Sequence, residues 1–278
     1  MIAAMAPSPR PRTDAGELAL RVLSGLVLAT LAIAAALAGG WFLDILLLAL
    51  ALGLVHEWFA MTRAAGRWAG FAAVVAAWLA MVATPGGILL GLYCVVIGAI
   101  GTALVALFLR GGEGAGWSAA GTLYAALPMT AILWIVSAEG GGLVVLWLFL
   151  VVWACDIGAF AIGSTIGGPK LAPAISPSKT WSGAVGGLAA AVLVGIALAP
   201  DLLAASPARG AMTAALVGLA ALAGDLIESR IKRRWGAKDS GRLIPGHGGL
   251  MDRLDSLVVA IPAFALVVVA GSFLGAGP

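Results

Sequence analysis

The chain has 278 residues, 62% hydrophobic and only 10% charged, with a formal net charge of +3. A soluble domain carries about 25% charged residues, so this composition excludes a globule that must cover itself with polar side chains and fits a protein solvated by lipid. The two cysteines, Cys94 and Cys155, sit in apolar runs and imply no disulfide framework.

Residues 1–17 are polar and proline-rich and read as a flexible cytoplasmic tail ahead of a single membrane domain, 18–278. The first apolar run, Leu18–Ala38, exceeds a signal-peptide core and is followed by more spans, so it reads as a membrane helix despite the small residues at its end. Eight further spans follow: Trp41–Ala60, Ala69–Ala83, Ile88–Leu109, Trp117–Ser137, Gly142–Ile162, Thr180–Ala199, Ala211–Glu228 and Leu254–Phe273. Each approaches the ~20 residues that cross ~30 Å of hydrocarbon as a helix, the third being short. The blocks are continuous rather than alternating, which argues against strands. The expectation is therefore an all-α, polytopic integral membrane protein with about nine transmembrane helices.

Basic residues choose the orientation. With the N-terminus inside, the inner face collects 15 of the 16 Lys/Arg and the outer face only Arg209. The N-terminus then lies in the cytoplasm and the C-terminus outside. Outer loops are short, whereas two inner segments, Gly163–Lys179 and Ser229–Arg253, are long and polar.

Ionisable groups within spans are costly and mark function. Asp44, His56 and Glu57 lie in or near the second span, the last two close to the inner surface, where bonding between helices competes with a functional role. Asp156 falls late in the sixth span, followed by small residues that permit close helix contact. Asp225 and Glu228 close the eighth span on one helical face with Ser229 and Lys232, and Asp252, Asp255 and Ser256 open the ninth. If those two helices are neighbours, Asp225 and Asp252 meet at one depth. Carboxylates facing a crowd of Lys and Arg suit a hard cation such as Mg²⁺ together with substrate phosphates.

The stretch Ser229–Asp255 holds seven of the 16 Lys/Arg and His247. Its Pro245-Gly246-His247-Gly248-Gly249 run lets backbone N–H groups approach an anion ahead of a helix N-terminus. His247 could serve as an acid/base, a phosphate donor or a plain loop residue, and Trp235 as an interfacial anchor. The other inner segment offers Lys170, Ser176, Ser178, Lys179 and Thr180 between prolines that stiffen it, a second phosphate-binding set.

The stretch from Ser229 resembles the signature of the phosphatidate cytidylyltransferases, or CDP-diacylglycerol synthases. Its fixed positions are Ser229, Lys232, Arg233, Lys238, Asp239, Pro245, His247, Gly248, Gly249, Asp252, Arg253 and Asp255. A second family-like block runs from Asp156 through Lys170 to Thr180 and Trp181. The chain departs at Ser182, where the family commonly has an acid, and lacks a basic residue near Gly167-Gly168.

The resemblance implies that CTP and phosphatidic acid give CDP-diacylglycerol and pyrophosphate with Mg²⁺, on the cytoplasmic face of a bacterial inner membrane. It also implies a homodimer in membrane lipid, with no nucleic acid as partner. On this reading Asp225 and Asp252 hold the metal, with Asp156 and Asp255 as further ligands or as neighbours that support them. Lys238, Asp239 and His247 join the reacting centre. Ser229, Lys232, Arg233, Arg253 and the Gly248-Gly249 turn hold phosphates, and Ser176, Lys179 and Thr180 close over them. The alternatives are a CTP-dependent lipid kinase, which would release CDP, and an ion-coupled transporter, which expects midplane acids and paired broken helices.

Overall fold

The computed structural model describes residues 15–84, 87–110, 112, 114–241, 243 and 248–273. Among them are nine helices: α1 (Ala15–Ala38), α2 (Gly40–Thr62), α3 (Arg67–Ala83), α4 (Ile88–Arg110), α5 (Ala115–Val136), α6 (Gly141–Ile166), α7 (Trp181–Leu203), α8 (Pro207–Arg234) and α9 (Met251–Phe273). Seven of these, α2 and α4–α9, are long and apolar enough to cross a membrane. The protein is an integral membrane protein. At 17 residues α3 falls below that length, reaching only ~25 Å at 1.5 Å per residue. The apolar part of α1 whose side chains are described runs from Val27 to Ala38.

The all-α expectation needs one correction. Between α6 and α7 the chain forms a small antiparallel hairpin, β1 (Lys170–Ala172) and β2 (Ser176–Thr180), with Lys170 opposite Thr180 and Ala172 opposite Ser176. Pro169, Pro173 and Pro177 deny this segment a helix. A two-stranded edge tolerates them because an outward-facing N–H is dispensable there. The Trp181 N–H closes the hairpin onto the Pro169 carbonyl at 3.0 Å.

Helices α3, α4 and α5 pack as one group, joined by α2, and α6, α7 and α8 as another. Helix α9 touches α2, α5, α6 and α8 and so joins the two. In the second group the backbones come close because one face of α7 buries Gly183, Gly187, Ala191, Gly195 and Ala199 at four-residue spacing. A Cβ on Gly183 would lie 2.8 Å from the Ala159 carbonyl of α6, so no larger residue fits that crossing. Trp147 fills the space where α6 meets α9, its ring 5.7 Å from Phe264.

Helices α8 and α9 run further toward the polar linker than their hydropathy indicates. Helix α8 starts at Pro207 behind an N-cap serine, whose Ser206 hydroxyl accepts from the Arg209 N–H at 3.3 Å. It ends in a Schellman turn: Gly236, at φ 65°, donates to the Arg233 carbonyl, and Ala237 donates to that of Lys232. That left-handed position suits glycine. Helix α9 starts at Met251, three residues before the expected apolar start, and its first turn includes Asp252.

Candidate active site

Two lysines organise the charge at the linker end of α8 and α9. Lys232 Nζ lies 2.7 Å from Asp252 Oδ1 and 3.0 Å from Glu228 Oε1. Asp252 also accepts from the Ser240 N–H at 3.0 Å and the Gly249 N–H at 2.9 Å, both on Oδ2. The bond to Gly249, three residues back, is the reach of a carboxylate that caps its own helix start. Glu228 is completely buried, and its Oε2 has no hydrogen-bond donor among the described residues.

The second lysine, Lys179, sits at the end of β2 and pairs with Asp225 of α8. Asp255 lies within electrostatic range of Asp225, Asp156 and Lys179. The Ser256 hydroxyl ties α9 to α6 by donating to Asp156 Oδ1 at 3.1 Å.

Helices α8 and α9 are neighbours, as the sequence reading required, but their register differs from the one it assumed. A Cβ on Gly224 would lie 2.5 Å from the Asp255 carbonyl and 3.2 Å from Val259. The level of Asp225 on α8 is therefore that of Asp255, and Asp252 sits one turn nearer the linker, beside Glu228 and Lys232. Asp225 and Asp252 mark two ends of one acidic strip rather than one point.

A residue left open by the sequence holds this strip in place. Glu57 of α2, 2% exposed, accepts from the Ser240 hydroxyl at 2.9 Å, the Leu250 N–H at 2.9 Å and the Met251 N–H at 2.8 Å. A buried carboxylate at the start of α9 satisfies N–H groups that have no partner within the helix, and its charge is favoured there. Gly241 and Gly249 flank it so closely that a Cβ on either would lie 2.5 or 2.6 Å from a Glu57 oxygen.

The remaining candidates divide between scaffold and surface. The Thr180 hydroxyl caps α7 by accepting from the Gly183 N–H at 3.1 Å. Ser182, which stands where an acid was expected, donates to the Gly167 carbonyl. Arg233 ties the Schellman turn to the hairpin, with Nε on the Ile175 carbonyl and Nη1 on the Ala237 carbonyl, each at 3.3 Å. Ser176 is buried in β2, Ser229 is half-buried on α8, and Lys238, Asp239 and Arg253 are exposed. Gly248, at φ 81°, sits against Asp252, where a Cβ would approach Oδ2 to 3.1 Å. His247 lies outside the described residues.

Residues 19–270 match the model of the cytidylyltransferase family. The chain belongs to that family. It is 39% identical over 250 residues to a phosphatidate cytidylyltransferase of Brucella suis biovar 1 (strain 1330), covering 88% of this chain and 90% of the relative. It is 40% identical over 134 residues to a phosphatidate cytidylyltransferase of Mycobacterium tuberculosis (strain ATCC 25618 / H37Rv), covering 48% of this chain and 41% of that one. Membership of the cytidylyltransferase family covers the acidic strip, the hairpin and Glu57 alike, since the match takes in every helix from α2 to α8 and nearly all of α9.

The residues around the strip suit a divalent cation. Five carboxylates (Asp156, Asp225, Glu228, Asp252 and Asp255) face two ammonium groups, Lys179 and Lys232, leaving three formal negative charges and a buried oxygen without a donor. No group of three His, Cys, Asp or Glu forms a metal cage among the described residues. Mg²⁺ does not need one, because it binds through one or two carboxylates and completes its shell with water and phosphate oxygens.

Proposed function

We propose that this chain is a phosphatidate cytidylyltransferase that transfers CMP from CTP to phosphatidic acid, giving CDP-diacylglycerol and pyrophosphate. The observation that carries the reading is the acidic strip with its two lysines, set beside the 39% identity to relatives of that name. A phosphate oxygen of the lipid forms a bond to the α-phosphorus of CTP. The bond from that phosphorus to the bridging oxygen breaks, and pyrophosphate leaves with the electron pair. Both partners are anions, so the demand on the protein is positioning and charge stabilisation rather than a nucleophile of its own.

Lys179 and Lys232 supply that stabilisation from opposite ends of the strip. Each is already held by a carboxylate, which fixes its ammonium group before substrate arrives. Glu57 and Ser240 hold the start of α9 so that Asp252 keeps its position as charge develops. Lys238 and Arg253, on the exposed rim, meet the triphosphate as it enters from water. Asp225 with Asp156 of α6 at one end of the strip, and Asp252 at the other, are the residues that would hold Mg²⁺. When bound, the ion screens phosphate charge and stabilises the leaving group.

The same reading takes α1 and α3 as membrane crossings, giving nine, with a cytoplasmic N-terminus, an external C-terminus and the strip facing the cytoplasm of a bacterial inner membrane. Its support is the bias of 15 basic residues against one. A homodimer belongs to it on family resemblance alone.

The test is product analysis with α-labelled CTP and phosphatidic acid in detergent or liposomes, with and without Mg²⁺. The reading expects labelled lipid and free pyrophosphate, both dependent on Mg²⁺. Release of CDP with an unlabelled, phosphorylated lipid would make the protein a kinase instead.

A further inference from the structure

Beside the acidic strip is a cavity of about 490 Å³ whose lining includes Asp239, expected at the reacting centre, and Ser240, which also supports Asp252. It is lined by Ala60, Met61 and Arg63 at the end of α2, by Trp235 and Gly236 at the end of α8, and by Asp239 and Ser240 in the following turn. Its size lies within the usual range for small-molecule sites, about 300–1,000 Å³. A second cavity of about 390 Å³, between α4 and α5, is lined by alkyl side chains such as Ile100, Leu104 and Leu107 and offers no polar contact.

The first cavity has the parts that read a heterocyclic base. Trp235 is 37% exposed and gives an aromatic wall. That wall is held from behind: Trp117 packs edge-on against it at 5.7 Å, and the Trp117 carbonyl accepts the Trp58 indole N–H at 2.8 Å. Arg63 is also fixed at its backbone, in the left-handed conformation at φ 51°, with its carbonyl accepting from Arg110 Nη1 at 2.8 Å. Asp239 and Arg63 both line this space, one carrying only acceptors on its carboxylate and the other only donors on its guanidinium. Ser240 is shared with the strip, because its N–H reaches Asp252 and its hydroxyl Glu57. Ser240 therefore joins one wall of the cavity to Asp252 of the strip.

We propose that this cavity is the cytosine subsite, with Trp235 stacking the base, Asp239 accepting from the exocyclic amine and Arg63 donating to the ring acceptor edge. The inference rests on the CTP-dependent reading above and adds the residues that select the base. Aromatic stacking accepts any base. A carboxylate that accepts from the cytosine amine discriminates, because uracil has an oxygen at that position and would meet Asp239 with two acceptors face to face.

The experiment measures transfer from CTP and from UTP by the full chain and by Asp239→Asn, Trp235→Ala and Trp235→Phe. Asp239→Asn should lower the CTP-over-UTP ratio of kcat/KM about tenfold or more, since an amide can donate to the uracil oxygen. Trp235→Ala should raise the KM for CTP about tenfold while kcat at saturation changes little, and Trp235→Phe should keep most of the affinity. If the wild type transfers CMP, but the nucleotide ratio survives Asp239→Asn and the KM for CTP survives Trp235→Ala, the subsite is overturned and the cytidylyltransferase reading stands. If the folded wild type transfers from neither nucleotide, the underlying reading falls and the subsite with it.

Discussion

The two lysine nodes of the acidic strip differ in how they are supported. Lys232 lies between a fully buried glutamate and an aspartate that also receives two backbone N–H groups, and its own side chain is 14% exposed. Lys179 and Asp225 are 21% and 32% exposed, and Lys179 reaches the strip from a two-stranded hairpin rather than a helix. The first node therefore serves as part of the fold as well as of the site. The second can exchange its partner for substrate at small cost to stability. A site that must admit an anionic nucleotide and an anionic lipid has use for both kinds.

Removing a cation from each node separates the two. Lys232→Met leaves Glu228 buried beside Asp252 with no counter-charge, and breaking such a pair costs about 3–5 kcal/mol. Thermal unfolding in detergent should show that loss, and adding Glu228→Gln to the same chain should restore most of the stability without restoring activity. Lys179→Met should act the other way round. Its Nζ is out of solvent but its partner Asp225 is less buried than Glu228, so the stability loss should be smaller than for Lys232→Met, while transfer should fall about 100-fold for loss of a charge aimed at the developing transition state. Equal effects of the two substitutions on melting temperature would dissolve the distinction.

Glu57→Gln tests the support beneath the first node. An amide keeps one acceptor oxygen but sets its NH2 either against the Leu250 N–H or against the Met251 N–H and the Ser240 hydroxyl. The expected cost is about 1–3 kcal/mol, with hydrogen exchange rising first at the start of α9. The smallest effect belongs to Thr180→Ala at the start of α7, about 1 kcal/mol for a lost N-cap. Because it lies behind Lys179 it should reduce turnover only modestly.

Some of this was legible in the sequence because the bilayer imposes its own length scale. Long apolar blocks between charged segments locate α2, α4–α7 and α9 within a few residues and α8 to within six at its end, and the Ser229–Asp255 signature contains Lys232 and Asp252 of the candidate site. Helix register was not legible. The sequence spacing that places Asp225 and Asp252 near the linker cannot tell which turn of α8 meets which turn of α9, and the close approach at Gly224 decides it. Nor could hydropathy find the clamp. Glu57 and Met251 are 194 residues apart, and one acid inside an apolar helix has no period to betray its partner. The hairpin was hidden for the opposite reason, since its prolines exclude a helix without selecting strands. Trp235 read as an interfacial anchor because its aromatic support, Trp117 and Trp58, comes from other helices.

The most direct test of the central claim is CMP transfer from labelled CTP to phosphatidic acid by purified wild type and by Asp252→Asn, each shown to be folded by its unfolding transition. The strip as described predicts labelled CDP-diacylglycerol from the wild type and a loss of at least about 100-fold in kcat for the variant. Turnover by folded Asp252→Asn close to that of the wild type would contradict it.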